Sequence, residues 1–193
     1  MQVSDKNYVY PPKPLYVPPS SSTFTDLDND PNWIGEVKKN GWRMMVRTTS
    51  EGKLELWTRR KTLELTPLLN LRKELLSLNL PPDTILDGEL LEHRGETKET
   101  MMLWGMFRWN GKWTNAIPYK EIIWRMSFIP ADAKYLIKPQ FVFEGKRKFY
   151  EELIKTNPEE NEGLVLKKLD APVPFSFTKT EVIRSWLKVK PNV

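Results

Sequence analysis

The chain reads as an α+β domain, mainly antiparallel sheets flanked by helices. Short turns at Glu51-Gly52 and Asn110-Gly111 join strand-like runs and suit hairpins. One run, Leu68, Leu71, Leu75 and Leu78, recurs at helical spacing instead of alternating. Strands and helices interleave through hairpin connections without any repeat, which argues against a doubly wound parallel sheet.

Residues 1–30 are rich in Pro, Ser and Asp, with Pro11-Pro12, Pro18-Pro19 and Ser20-Ser21-Ser22. They read as an extended N-terminal arm, laid on the domain or left mobile, and residues 31–193 as the domain itself. Strand-like runs follow at Trp33–Lys38, Arg43–Thr49 and Lys53–Thr58. Thr66 is the expected N-cap of the leucine helix, Pro67 its first residue, and Pro81-Pro82 its stop. That helix should bury its leucines against a sheet. Thr84–Glu92 is strand-like, and Met101–Trp109 with Lys112–Thr114 forms a second hairpin. Short helices are expected at Tyr119–Ser127 and Gly145–Thr156, and late strands at Gly163–Leu169 and Ser185–Val189.

A length of 193 residues fits one domain, and 39% apolar residues with eight tryptophans can supply its core. With no cysteine and only one histidine, His93, disulfides, thiolate metal sites and histidine-based zinc sites are excluded. No apolar run approaches the ~18 residues of a membrane span, and no signal-peptide pattern opens the chain. The protein is therefore expected to be soluble, intracellular and monomeric, with no membrane association. A net charge of +5 suits a polyanionic partner such as nucleic acid. A merely solvated basic surface is the competing reading.

The most telling segment is Lys38-Lys39-Asn40-Gly41-Trp42-Arg43. A lysine at the end of a strand, followed three residues later by glycine, gives strand, tight turn, strand, and can send its amine into a pocket. Further along come Leu86-Asp87-Gly88-Glu89-Leu90, Glu162-Gly163-Leu164-Val165-Leu166-Lys167 and Trp186-Leu187-Lys188-Val189-Lys190. Acids within the apolar stretch around 87–89 need partners, because burying them unpaired is costly. Lys188 and Lys190 share one strand face by period-two alternation. In this order the four segments resemble motifs I, III, IV and V of the covalent nucleotidyltransferases: ATP-dependent DNA ligases, RNA ligases and mRNA capping enzymes. The nearest resemblance is to the adenylation domain of an ATP-dependent DNA ligase, and it covers Lys38 to Lys190.

That resemblance implies a ligase-type nucleotidyltransferase (ATP-grasp-like) domain, with ATP and Mg²⁺ (or Mn²⁺) as cofactors. It makes Lys38 the nucleophile on the α-phosphate, Arg43 a ribose contact and Glu36 the residue at the adenine edge. Lys188 and Lys190 would neutralise α-phosphate charge. Glu89 would serve the ribose and the metal, Glu162 the metal, and Lys167 would point toward the nucleotide. Val165 would pack on one face of adenine, and Trp104, in a motif IIIa-like segment, would stack on the other. Trp104 also reads as a core residue. Arg59 resembles the motif Ia arginine that engages phosphate, or else an exposed strand-end arginine.

Departures from the pattern are Asn40 in place of the usual Asp, and Gly105 in place of the usual acid. The implied substrate is nicked duplex DNA. An RNA ligase is the alternative, supported by Asn40 and the short interval before Trp104. A capping guanylyltransferase is disfavoured by the Lys-x-Lys pattern, and a catalytically silent nucleic-acid-binding module stands against all three. The chain stops just after motif V, so no OB-fold domain with motif VI is expected within it. Either the enzyme is then minimal or truncated, or a partner supplies that function.

Overall fold

Two sheets carry the chain. The computed structural model describes residues 8–61, 67–93 and 96–191. The first sheet contains β1 (Lys13–Val17), β2 (Trp33–Lys39), β9 (Phe141–Val142), β10 (Asn161–Lys168) and β11 (Val182–Val189), in the order β1-β11-β10-β2-β9. The second runs β4 (Leu54–Thr58), β3 (Gly41–Thr48), β5 (Thr84–His93), β6 (Glu96–Trp109) and β7 (Lys112–Trp113), with β8 (Leu136–Ile137) also on β6. Helices α1 (Ser22–Asp26), α2 (Leu69–Ser77), α3 (Tyr119–Arg125) and α4 (Lys146–Thr156) complete it. Apart from the parallel β1–β11 and β6–β8 pairs, every ladder is antiparallel. This is the expected mainly antiparallel α+β class. Among the described residues there is no separate OB-fold barrel, and no helix is long and apolar enough to cross a membrane.

The leucine helix forms as α2, with Leu71 and Leu75 fully buried in the core shared with Met101 of β6 and Leu136 of β8, the strands on which the helix packs. It starts after Leu68, whose φ of 39° breaks the helix. The expected cap, Thr66, lies outside the described residues. Two strands begin earlier than their apolar runs suggest, β6 at Glu96 and β11 at Val182. Backbone pairing, not local composition, extends each element: β6 pairs back onto the end of β5 next to it in sequence, and β11 pairs with the distant β1. Helix α3 ends at Arg125 and tightens into a 3₁₀ turn over Met126–Phe128.

Of the two courses open to the N-terminal arm, its described part, residues 8–30, is laid on the domain. Tyr8 stacks on Trp57 with ring centroids 6.1 Å apart. Phe24, on the short helix α1, is fully buried and meets Tyr150 of α4 edge-on at 5.7 Å. Ser21 caps α1 through a hydrogen bond from the Phe24 amide. The buried Lys146 ammonium donates to the carbonyls of Asp28 (3.0 Å), Asp30 (3.1 Å) and Phe143, fastening the arm to α4. Burial lowers the Lys146 pKa, against the opposing pull of Asp28, Asp30 and Glu144.

Two glycines fix where the first sheet and the turn after Lys39 lie. A Cβ on Gly41 would sit 2.3 Å from the Leu90 carbonyl oxygen, so only glycine lets β3 begin against β5 there. Gly163 has φ +140°, and a Cβ on it would lie 2.1 Å from the Val189 oxygen. Gly163→Ala is expected to destabilise the fold by about 2 kcal/mol or more, combining backbone strain with a collision against backbone. Gly52→Ala, at φ +78° with open space around it, should cost only about 1 kcal/mol. Urea unfolding midpoints of the two variants check the difference.

Candidate active site

The register of the first sheet assembles one face of a cleft. Glu36 on β2 lies opposite Val165 on β10, which lies opposite Lys188 on β11. One row deeper, Lys167 lies between Ile34 and Trp186, and one row toward the rim Lys38 pairs with Gly163. Alternation puts Glu36, Lys38, Val165, Lys167, Trp186 and Lys188 on the same side, with Lys190 following just beyond β11. The second sheet supplies Arg43, directly opposite Glu89, and Trp104. Side chains from both sheets, with Pro14 from the arm, line a cleft of about 110 Å³.

Lys38 Nζ is 2.5 Å from Glu162 Oε2, with side chains 24% and 31% exposed, so the pair stands at the cleft mouth. Local geometry explains the contact. The β2–β10 register shifts between Asn161 and Gly163, leaving Glu162 as the extra residue of a bulge, and bulges re-aim side chains. Asn40 at the adjoining turn is anchored by its own hydrogen bond, from Nδ2 to the Glu159 carbonyl at 2.6 Å. Lys39 points away from Lys38 and pairs with Glu160 at 3.6 Å.

Arg43 is gripped at both ends. Its Nε and Nη2 donate to the two oxygens of the fully buried Asp87, at 2.9 and 2.5 Å, and its Nη1 donates to the Pro12 carbonyl of the arm at 3.1 Å. Trp104 Nε1 donates to the same Asp87 carboxylate at 3.0 Å, and the guanidinium lies 5.7 Å from the Trp104 ring centre. Asp87 therefore sets the orientation of both the expected ribose contact and the expected stacking ring.

Glu89 is 8% exposed, and burial pushes its carboxyl up to about 7. Lys38 and Arg43 pull it down, while Asp87 and Glu162 push it further up. The Lys188 amine is lowered by burial and by the neighbouring cations Lys13, Lys190 and Lys38. On the floor, Lys167 Nζ is 2.6 Å from Glu36 Oε2, both side chains being almost wholly buried, and Tyr119 of α3 hydrogen-bonds to Glu36 as well. Desolvation raises the Glu36 carboxyl and lowers the Lys167 amine, against their mutual attraction.

The fold brings together Lys38, Glu36, Arg43, Glu89, Trp104, Glu162, Val165, Lys167, Lys188 and Lys190. Arg59 does not join them. It lies one step past the Met44–Thr58 pair that ends β4, exposed and outside the cleft lining, because β4 is the edge strand of its sheet. Sequence reasoning missed the roles of Asp87, Tyr119, Trp186 and the arm residues Lys13 and Pro14. For Asp87 the signal was present, since a carboxylate inside an apolar strand must find a partner. For Tyr119 and the arm nothing local marks the residue.

The donor set also bears on a divalent ion. Glu89 and Glu162 both act on the Lys38 amine, and their negative charge adds to that of Asp87, which Arg43 and Trp104 already occupy. No group of three metal-ligating side chains converges among the described residues. Two carboxylates, with phosphate oxygens and water filling the shell, is the pattern that suits Mg²⁺.

No protein-family model matches the sequence, and no curated protein sequence matches it. Solved structures do match. The ligase domain of M. tuberculosis LigD aligns with a TM-score of 0.63 at 16% identity, over 93% of this chain and 59% of its own. The ATP-dependent DNA ligase of bacteriophage T7, in complex with ATP, aligns at 0.61 and 13% identity, over 98% of this chain and 69% of its own. An archaeal ATP-dependent RNA ligase aligns at 0.55 and 17% identity, over 93% and 48%. The chain thus spans about three fifths of the LigD ligase domain. Its two sheets, with the lysine turn between them, share the fold of these ATP-dependent ligases.

Proposed function

We propose that this chain is the adenylating domain of an ATP-dependent polynucleotide ligase acting on nicked duplex DNA. The observation that carries the proposal is the Lys38 amine, paired with the Glu162 carboxylate at the mouth of a cleft and near enough to Lys188 for the two charges to act on each other. Lys38 loses a proton to solvent at the cleft mouth, where the Glu162 carboxylate accepts its hydrogen bond. The neutral amine then attacks the α-phosphate of ATP. One P–N bond forms, the P–O bond to pyrophosphate breaks, and AMP remains on Lys38 as a phosphoramidate.

Lys188 and Lys190 meet the charge that builds on the α-phosphate, where preformed cations in a partly desolvated site act most strongly. Arg43, held by Asp87 and the Pro12 carbonyl, presents its remaining edge to the ribose. Val165 and Trp104 flank the base, and Glu36 faces its polar edge. Glu89 and Glu162 would hold Mg²⁺, which supplies charge neutralisation at the phosphates. AMP then passes to a 5′-phosphate, and a 3′-hydroxyl displaces it to seal the strand.

Incubation with α-labelled ATP or GTP and Mg²⁺, followed by denaturation, should leave label on the protein from ATP. Label from GTP alone would make the chain a guanylyltransferase, and no label from either would overturn the proposal. A sealing assay on nicked DNA and nicked RNA then decides the polynucleotide. The fold likeness to an archaeal RNA ligase makes RNA the second reading.

A further inference from the structure

We propose that Lys13, on the N-terminal arm, belongs to the phosphate site and holds the pyrophosphate released when Lys38 takes AMP. The inference rests on the reading that Lys38 is the nucleophile, and it names the group that meets the far end of ATP. In-line displacement puts the leaving group opposite the attacking atom. The strand order then says where that is. Lys38 stands on β2 and Lys188 on β11, with β10 between them and β1 beyond. An α-phosphate within reach of both lysines lies over β10. The bond opposite Lys38 therefore points along the sheet, past β11 toward β1. At ~4.8 Å per strand, β1 stands about 14 Å from β2, so a group on β1 lies beyond the α-phosphate and not beside it.

Lys13 is held there by the backbone on either side of it. The Pro12 carbonyl accepts from Arg43 Nη1 at 3.1 Å, the Lys13 amide donates to the Glu181 carbonyl at 2.8 Å, and Pro14 forms part of the cleft wall. The flanking prolines fix φ on both sides and limit how far the segment can swing. The Lys13 side chain is exposed, and of the cations that act on Lys188 it acts most strongly, ahead of Lys190 and Lys38. Among the described residues, none of Lys13, Lys188 and Lys190 has an ion-pair partner. Like charges gathered without a counter-ion repel one another and give the fold nothing in return. A polyanion removes that cost. Lys188 and Lys190 can meet the α-phosphate, but the β- and γ-phosphates carry most of the charge of ATP, and Lys13 stands on their side.

The step balances without a proton from Lys13. As the Lys38 nitrogen bonds to the α-phosphorus, the P–O bond on the far side breaks and its electron pair stays on the β-phosphate oxygen. The Lys13 ammonium meets that new charge by hydrogen bonding and keeps its own protons. The same contact serves the reverse step, in which pyrophosphate attacks the lysyl adduct and regenerates ATP.

The test compares binding of AMP and of α,β-methylene-ATP, whose outer phosphates sit on a bond that cannot be cleaved, to the full chain by tryptophan fluorescence. Covalent labelling from ATP, and its reversal by pyrophosphate, are measured alongside. In Lys13→Ala the preference for the triphosphate over AMP should fall about tenfold, the worth of one charge-assisted hydrogen bond, with AMP binding unchanged. Reversal should need about tenfold more pyrophosphate. Lys13→Arg should restore both, and Lys112→Ala, which removes an exposed lysine from β7 in the other sheet, should change neither. An unchanged preference in Lys13→Ala overturns the inference, as does an equal fall in Lys112→Ala. So does a loss of AMP binding in step with the triphosphate, which is what a merely structural role predicts. Wild type that takes label while Lys13→Ala reverses at the same pyrophosphate concentration removes this inference and leaves the ligase reading intact. A preference that depends on Lys13 in a chain that takes no label does the opposite. Failure to bind either nucleotide removes both.

Discussion

Lys38→Ala is expected to abolish covalent labelling from ATP, a loss on the order of 10⁴-fold or more, as when other enzymes are deprived of their nucleophile. Lys39→Ala should keep it. The two lysines are neighbours in sequence and opposites in space. Strand alternation sends Lys38 into the cleft with Glu36, while Lys39 faces the other way toward Glu160. The wild-type adduct should be released by mild acid and survive base, as a P–N bond requires. Neither substitution should move stability by more than about 1 kcal/mol, because both ion pairs are a quarter to a third exposed and screened by water. Catalysis and folding are thus separable at this position. Label that persists in Lys38→Ala and disappears in Lys39→Ala would reassign the nucleophile and with it the orientation of β2.

Much of this site is legible before any coordinates, and the reason is local. Lys38, Glu89, Glu162 and Lys188 each sit in a short segment whose own pattern of apolar residues and glycine sets strand, turn and face. Gly41 and Gly163 are the clearest cases. Each is required by a backbone carbonyl from another strand, yet each stands within three residues of the side chain it serves. What could not be read is whatever depends on pairing across the chain. The Lys13–Val17 segment looks like a proline-rich arm, but it becomes an edge strand beside β11, adds Lys13 to the cations around Lys188 and ties Pro12 to Arg43. Tyr119 follows a proline in a helix with no unusual pattern, and only the docking of α3 brings its hydroxyl to Glu36. For Arg59 the sequence leaves two readings open, a motif arginine or an exposed strand-end arginine, and it lies exposed just past the edge strand β4, outside the cleft lining.

Glu89 provides the second large effect, in stability as a function of pH. Its folded-state pKa of about 7 lies above the ordinary carboxylate value of 4.5. A raised pKa means the folded chain holds this proton more tightly than the unfolded chain does. The associated stabilisation is complete below about pH 4.5 and is lost as pH rises through about 7. At ~1.4 kcal/mol per unit, the loss comes to about 3 kcal/mol. Glu89→Gln, neutral at every pH, should therefore match wild type in urea unfolding near pH 4.5 and exceed it by about 3 kcal/mol at pH 8. The excess should shrink when Mg²⁺ and ATP are added, since a bound cation restores to wild type what ionisation removed and gives the glutamine variant less. Function runs the other way. The glutamine variant, having lost a carboxylate beside Lys38, should form the adduct more slowly even while folding better, the trade expected where a charge is buried for chemistry instead of for stability. Parallel pH profiles for the two proteins would show that Glu89 is ionised at no cost and that its burial does not set the pH dependence of stability.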